Sequence, residues 1–168
     1  MLKQTRYATP LGNMTLLADE LGLYGAWFEA QAYFGGTFDL ATIPTGDNRV
    51  LQQTRAWLAA YFQGDERQRP ALHFNGTPYR QAVQQALCEI PRGQVATYQQ
   101  LAERLSLTLG HKTAARAIGG AVGHNPLSVI VPCHRVVGSN GTMTGYAGGL
   151  WRKQALLELE DASDQVKS

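Results

Sequence analysis

Cysteine is almost absent from this chain. Cys88 and Cys133 are the only two in 168 residues, and they form no C-x-x-C pair and no Cys/His spacing suited to zinc. That argues against a disulfide framework and a structural metal, and it fits a reducing compartment, the cytoplasm. Long hydrophobic runs are missing as well. No stretch approaches the roughly 18 apolar residues of a membrane helix, and no basic segment leads into an apolar one at the N-terminus, so neither a span nor a secretory signal is expected. Acidic residues are scarce between positions 91 and 153. Glu103 stands there against Arg92, Arg104, Lys112, Arg116, Arg135, Arg152 and Lys153, a net charge of +6, whereas residues 1–75 balance six basic side chains against seven acidic ones. Such clustering is either an ordinary solvated basic face or a surface drawn to phosphates. The acidic stretch Glu158, Glu160, Asp161 and Asp164 closes it.

What is present is enough apolar residue for a core, 44% of the chain with three Trp. Alternating apolar and polar residues at 3–8, 14–18 and 23–28, separated by Pro10-Leu11-Gly12-Asn13 and Gly22, predict a strand meander. Val50, Leu51, Thr54, Trp57, Leu58, Tyr61 and Phe62 recur at helical spacing with Gly64 as the stop. Residues 64–78, rich in charge, Gly and Pro, read as a linker. The first 75 residues are therefore expected to form an α/β domain, and residues 76–168 a second one.

The second half reads as short helices. Thr77-Pro78 is an N-cap and first-turn pair, Tyr79, Val83, Ala86, Leu87 and Ile90 line one face, and Pro91 and Gly93 end it. Cys88 lies beside that stripe, has no base next to it, and reads as structural. Thr97 with Gln100 forms a capping box, with Leu101 and Leu105 facing inward. Thr113 is expected to cap a helix running to about Gly123. On it, Ala114, Ala117, Ile118 and Ala121 fall on one side and Arg116, Gly119, Gly120 and Gly123 on the other. Interior Gly costs about 1 kcal/mol against Ala, so a bare face implies close approach to the backbone. The visitor is either a neighbouring helix or nucleic acid laid on a helix-turn-helix. Finally, Val129-Ile130-Val131 reads as a buried strand leading into Pro132-Cys133-His134-Arg135. A thiol beside an imidazole is either a small buried hydrophobe next to a histidine or an activated nucleophile, since an unperturbed Cys is mostly protonated at neutral pH.

Five segments together resemble the O6-alkylguanine-DNA alkyltransferases: residues 90–98 (IPRGQVATY), 114–119 (AARAIG), Asn125-Pro126, 131–137 (VPCHRVV) and 145–150 (GYAGGL). The resemblance is close over 77–160 and only outlined before, where Thr9-Pro10-Leu11-Gly12 agrees best. It implies a ribonuclease-H-like N-terminal domain and a mostly helical C-terminal domain with a winged-helix-like helix-turn-helix. It also implies direct repair of duplex DNA: the lesion base flips out, and Cys133 takes its alkyl group irreversibly from O6-alkylguanine, and from O4-methylthymine as well. His134 would draw the thiol proton through a bound water, with Glu160, rather than Glu158, orienting it. Arg116 would replace the flipped nucleotide in the stack, flanked by Ala115, Gly119 and Gly120. Tyr98 would hydrogen-bond the guanine ring, Asn125 would hold the active-site turn, the Val136 carbonyl would read the guanine amino group, and Tyr146, Ala147 and Gly148 would wall the pocket. Arg135 falls among the substrate- and DNA-contacting residues. No cofactor or metal is implied, no membrane is involved, and a monomer acting once is expected.

Two departures stand out. Residues 105–112 are about four longer than in many members, which predicts an enlarged turn in which His111 and Lys112 touch phosphate. Ala147 replaces a Ser of some relatives, leaving only backbone N–H for the substrate oxygen. His73 and His124 read as exposed or satisfied polar residues. A lesion sensor that transfers nothing would lack the acceptor Cys133, and a multiple-turnover cysteine hydrolase would need an oxyanion hole.

Overall fold

In the computed structural model, residues 1–162 are described; Asp164 of the acidic stretch lies outside them. The chain falls into two compact units, residues 1–74 with 126–130, and residues 75–125 with 131 onward. The first is built on a sheet and the second on helices.

In the first unit β1 (Lys3–Thr9), β2 (Gly12–Ala18) and β3 (Leu23–Phe28) form an antiparallel meander in sequence order. The β1–β2 turn needs Gly12 at φ 119°, and Thr9 closes it by accepting the Leu11 N–H at 3.1 Å. Met14, Leu16, Leu17 and Ala18 of β2 are fully buried. Helix α1 (Arg49–Phe62) starts at Asn48, whose side chain accepts the Leu51 N–H and donates to the Ala18 carbonyl at 2.9 Å, tying the cap to the sheet. It buries Val50, Leu51, Thr54, Trp57, Leu58 and Tyr61, and Gly64 follows at φ 88°.

The free edge of β3 is covered by segments without strand patterning. Leu23 donates to the Ala71 carbonyl and its own carbonyl accepts from His73, so the expected linker is pinned to the sheet around residues 71–73. Ala26 pairs in parallel with Leu127, exchanging bonds of 2.8 and 2.9 Å with Pro126 and Ser128. The expected strand at Val129–Val131 is buried but is not a strand. Val129 sits at φ 72°, a conformation that β-branched residues rarely adopt, and residues 128–130 form a turn. His73 stacks on Tyr24 with ring centroids 4.2 Å apart, so it is satisfied in the first unit.

The second unit packs α2 (Pro78–Cys88), α3 (Tyr98–Leu109) and α4 (Ala115–Gly123) together, with α5 (Leu150–Leu159) following a pair of short parallel strands, β4 (Ala96–Thr97) and β5 (Val136–Val137). Thr77 caps α2, and the Thr97/Gln100 capping box opens α3. The stretch 105–112 is mostly helix: α3 runs to Leu109, Gly110 at φ 75° supplies its left-handed cap, and the turn to α4 spans residues 110–114. Thr113 does not cap α4. Ala114 holds that position without a side-chain bond, and the Thr113 hydroxyl instead meets Tyr79 at 2.7 Å. The buried face of α4 is Ile118, Ala121 and Val122, leaving Ala114 and Ala117 exposed against expectation. No described helix is long and apolar enough to cross a membrane.

Candidate active site

Cys133, His134 and Arg135 form one turn of 3-10 helix between Pro132 and β5. All three are buried, and Asn125 donates from Nδ2 both to the Val131 carbonyl at 3.2 Å and to Cys133 Sγ at 3.1 Å. One amide thus fixes the approach to the turn and the position of its sulfur. Burial pushes the Cys133 thiol up, while the Asn125 donation and the charge of Lys153 pull it back.

The two residues that follow Cys133 belong to a buried ionic cluster. Glu160 Oε2 is 2.7 Å from His134 Nε2, and Arg135 grips the same carboxylate through Nε to Oε1 at 2.7 Å and Nη2 to Oε2 at 3.0 Å. Burial works to raise Glu160, but His134 and Arg135 hold it well below the usual carboxylate range. An ionised carboxylate only accepts, so His134 donates from Nε2 and keeps its lone pair on Nδ1. That Nδ1 is buried with no partner among the described residues. Burial lowers His134 below its ordinary value despite the opposing pull of Glu160, so the ring is neutral at neutral pH. A neutral imidazole held by a carboxylate beside a thiol has the parts of a general base and its orienter.

Arg135 is placed differently from its expected role. It is 1% exposed, chelated by Glu160 and bonded through Nη1 to the Ile90 carbonyl at 2.8 Å, so it is not available to DNA or substrate. Its bulk of charge neutralises Glu160 instead.

A cavity of about 270 Å3 opens on Cys133, lined also by Tyr98, Gly119, Val122, Gly123, Gly145, Tyr146 and Ala147. Tyr98, Tyr146 and Ala147 were expected there; Val122 and Gly145 were not, and Gly119 and Gly123 were expected on the outer, DNA-facing side of α4 rather than in the cavity wall. A Cβ on Gly119 would stand 3.9 Å from Tyr98 Cε1, so this glycine keeps the cavity wall thin. Gly120 and Gly123 face open space, and Arg116 is exposed on the same helix with Ala115 half-buried beside it. Gly148 is buried, its carbonyl accepting from Arg152 Nη1 at 2.9 Å, which ties down the loop carrying Tyr146 and Ala147. His111 and Lys112 are exposed in the α3–α4 turn, and exposed His124 bonds the Gly120 carbonyl through Nδ1 at 2.7 Å.

Two participants were missed. Lys153 is fully buried and donates to the Val136 carbonyl at 2.6 Å, and Thr144 bridges it to Tyr98. The signal for Lys153 was present: with Leu156, Leu157 and Glu160 it makes an i, i+3, i+4, i+7 stripe, which places a lysine on the inward face of α5.

Residues 78–162 match the DNA binding domain of 6-O-methylguanine DNA methyltransferase, and residues 2–69 match the ribonuclease-like domain of the same family. A methylated-DNA--protein-cysteine methyltransferase of Mycobacterium bovis is 48% identical over 153 residues, covering 90% of this chain and 88% of the relative. One from Shigella flexneri is 41% identical over 167 residues, covering 95% of each. The crystal structure of Mycobacterium tuberculosis OGT in complex with DNA superposes with a TM-score of 0.80 at 36% identity, over 99% of this chain and 95% of that one. The buried Cys-His-Glu cluster therefore sits in a chain that belongs to the methylated-DNA--protein-cysteine methyltransferase family.

Proposed function

We propose that this protein repairs alkylated duplex DNA by direct reversal, moving the alkyl group of O6-alkylguanine, and of O4-methylthymine, onto its own Cys133. The observation that carries the reading is the cavity walled in part by Cys133, next to a neutral His134 that Glu160 holds and whose Nδ1 lone pair has no partner among the described residues. His134 takes the thiol proton through a water. The thiolate attacks the carbon on O6 in line, the sulfur pair forms the S–C bond, and the C–O pair stays on the base. Arg116 enters the stack in place of the extruded nucleotide, whose unstacking costs a few kcal/mol, and the exposed glycines of α4 let the backbone lie close to the groove. Asn125 positions Cys133, Tyr98 donates to the base, the Val136 carbonyl, which also accepts from Lys153, reads the guanine amino group, and the Tyr146–Gly148 loop walls the pocket. Ala115, Gly119 and Gly120 form the DNA-facing strip. The thioether has no exit, so each molecule acts once, without cofactor or metal, as a cytoplasmic monomer. The finer fold proposed with this activity is a ribonuclease-H-like domain over residues 1–75 and a winged-helix-like domain over 76–168; the match to a ribonuclease-like family domain supports the first.

Incubation with a duplex carrying methyl-labelled O6-methylguanine is expected to leave about one label per molecule, on Cys133, with none in Cys133→Ala. Repeated turnover, or label in the alanine variant, would overturn the proposal.

A further inference from the structure

Tyr98 is one end of a short polar chain. Its hydroxyl meets Thr144 Oγ1 at 2.8 Å, and that same oxygen accepts from Lys153 Nζ at 3.4 Å. The two other Lys153 hydrogens go to the Val136 carbonyl at 2.6 Å and the Thr144 carbonyl at 3.2 Å. An ammonium only donates, whereas a hydroxyl does both. With a positive charge on one side of Thr144 Oγ1, the threonine hydrogen turns to the other side, where Tyr98 Oη is its acceptor among the described residues. Tyr98 Oη then accepts from Thr144, and its own hydrogen is left for the cavity that Tyr98 lines.

We propose that Lys153 and Thr144 fix Tyr98 as a proton donor into the cavity and resupply it when the base departs. The inference rests on the transfer to Cys133 proposed above. As the C–O bond breaks, the departing guanine anion takes a proton from Tyr98 on a ring nitrogen. Tyr98 recovers one from Thr144, Thr144 recovers one from Lys153, and Lys153 is left as a neutral amine. Neither Thr144 nor Lys153 is among the residues lining the cavity, so both are positioning residues; Tyr98 lines it and is the group that meets the base.

The surroundings of Lys153 suit the timing. Among the described residues, the titratable groups whose charge is coupled to Lys153 are Cys133 and His134 on the 3-10 turn; Tyr98 reaches it through Thr144, and Glu160 and Arg135 lie beyond His134. Burial pulls Lys153 down to about 8, opposed by negative charge on Cys133. Alkylation turns the thiolate into an uncharged thioether and removes that opposition, so the lysine grows more acidic at the step that needs its proton.

Thr144→Val removes the relay oxygen and keeps the side-chain shape. Two reactions at Cys133 separate proton supply from structure: methyl transfer from an O6-methylguanine duplex, whose leaving group needs a proton, and labelling by iodoacetamide, whose iodide needs none. Thr144→Val is expected to slow the first at least about tenfold, toward the low end of general-acid effects, and to leave the second within about twofold. Tyr98→Phe combined with Thr144→Val should be no slower than Tyr98→Phe alone, because the two act as one unit. The decline of transfer above about pH 8, where Lys153 loses its proton, should disappear in Thr144→Val. Equal slowing of both reactions, slowing of neither, or a double variant showing the product of the single effects would overturn the inference. Absence of transfer by the unaltered protein would instead overturn the proposed activity, and the inference with it.

Discussion

The two units treat charge in opposite ways. In the sheet unit the ion pairs Arg6–Glu29, Arg55–Asp47 and Arg67–Asp65 lie at the surface, and the interior is Met14, Leu16, Leu17, Trp27, Phe28 and Leu58. In the helical unit His134, Arg135, Lys153 and Glu160 are themselves interior. Burying charge seldom adds stability over an apolar core of the same volume, because desolvation offsets most of the attraction. The sheet unit is therefore arranged for folding, and the helical unit gives up some stability to hold one sulfur, one imidazole and one phenol in fixed relation.

The largest test of that contrast is Glu160→Gln. It removes the carboxylate that chelates buried Arg135, a loss of about 3–5 kcal/mol. Hydrogen exchange should then show amides of α2 to α5 opening sooner while β1 to β3 hold, together with a collapse of the transfer rate. Uniform loss of protection through both units would break the comparison. A smaller effect of opposite sign is expected at Gly120, whose added Cβ meets nothing within 4 Å. Gly120→Ala should stabilise the helical unit by about 1 kcal/mol in denaturant unfolding and weaken duplex DNA binding, sharpening the case that this face trades stability for access. The smallest effect belongs to the sheet unit. Asp47 accepts two bonds from Arg55 in the open, at 3.0 and 2.9 Å, and Asp47→Asn should move the melting temperature by no more than about 1 °C, since solvent already screens the pair.

Local rules were legible in the sequence where a short-range contact decides the outcome. Thr77, the Thr97/Gln100 box and the Gly64 stop stand where side-chain chemistry and backbone freedom required them. They failed where tertiary context won. Val129-Ile130-Val131 has the composition of a strand, yet the chain turns there with Val129 in a left-handed conformation, and Thr113 gave up a cap to bond Tyr79 across the helices. Around the site, the cavity brings Cys133 together with Tyr98, Tyr146 and Ala147, and adds Gly119, which the sequence placed on the outer face of α4. Arg135 misled because a basic residue beside the thiol reads as a DNA contact, while its partner Glu160 is 25 positions away in sequence. Lys153 was hidden for the converse reason: it was counted into a basic surface although its helical register points inward.

The five residues 126–130 belong to the sheet unit although they are encoded deep in the second half of the chain. On a ribosome the N-terminal unit therefore cannot complete its edge when residue 74 emerges; it must wait until Leu127 has been synthesised to meet Ala26. The same lacing means that no single cut yields two whole modules. A fragment beginning at residue 75 would carry a strand-pairing segment with nothing to pair to, and a fragment ending there would expose Ala26 as an open edge, so any attempt to graft the acceptor site onto another protein must bring the sheet along.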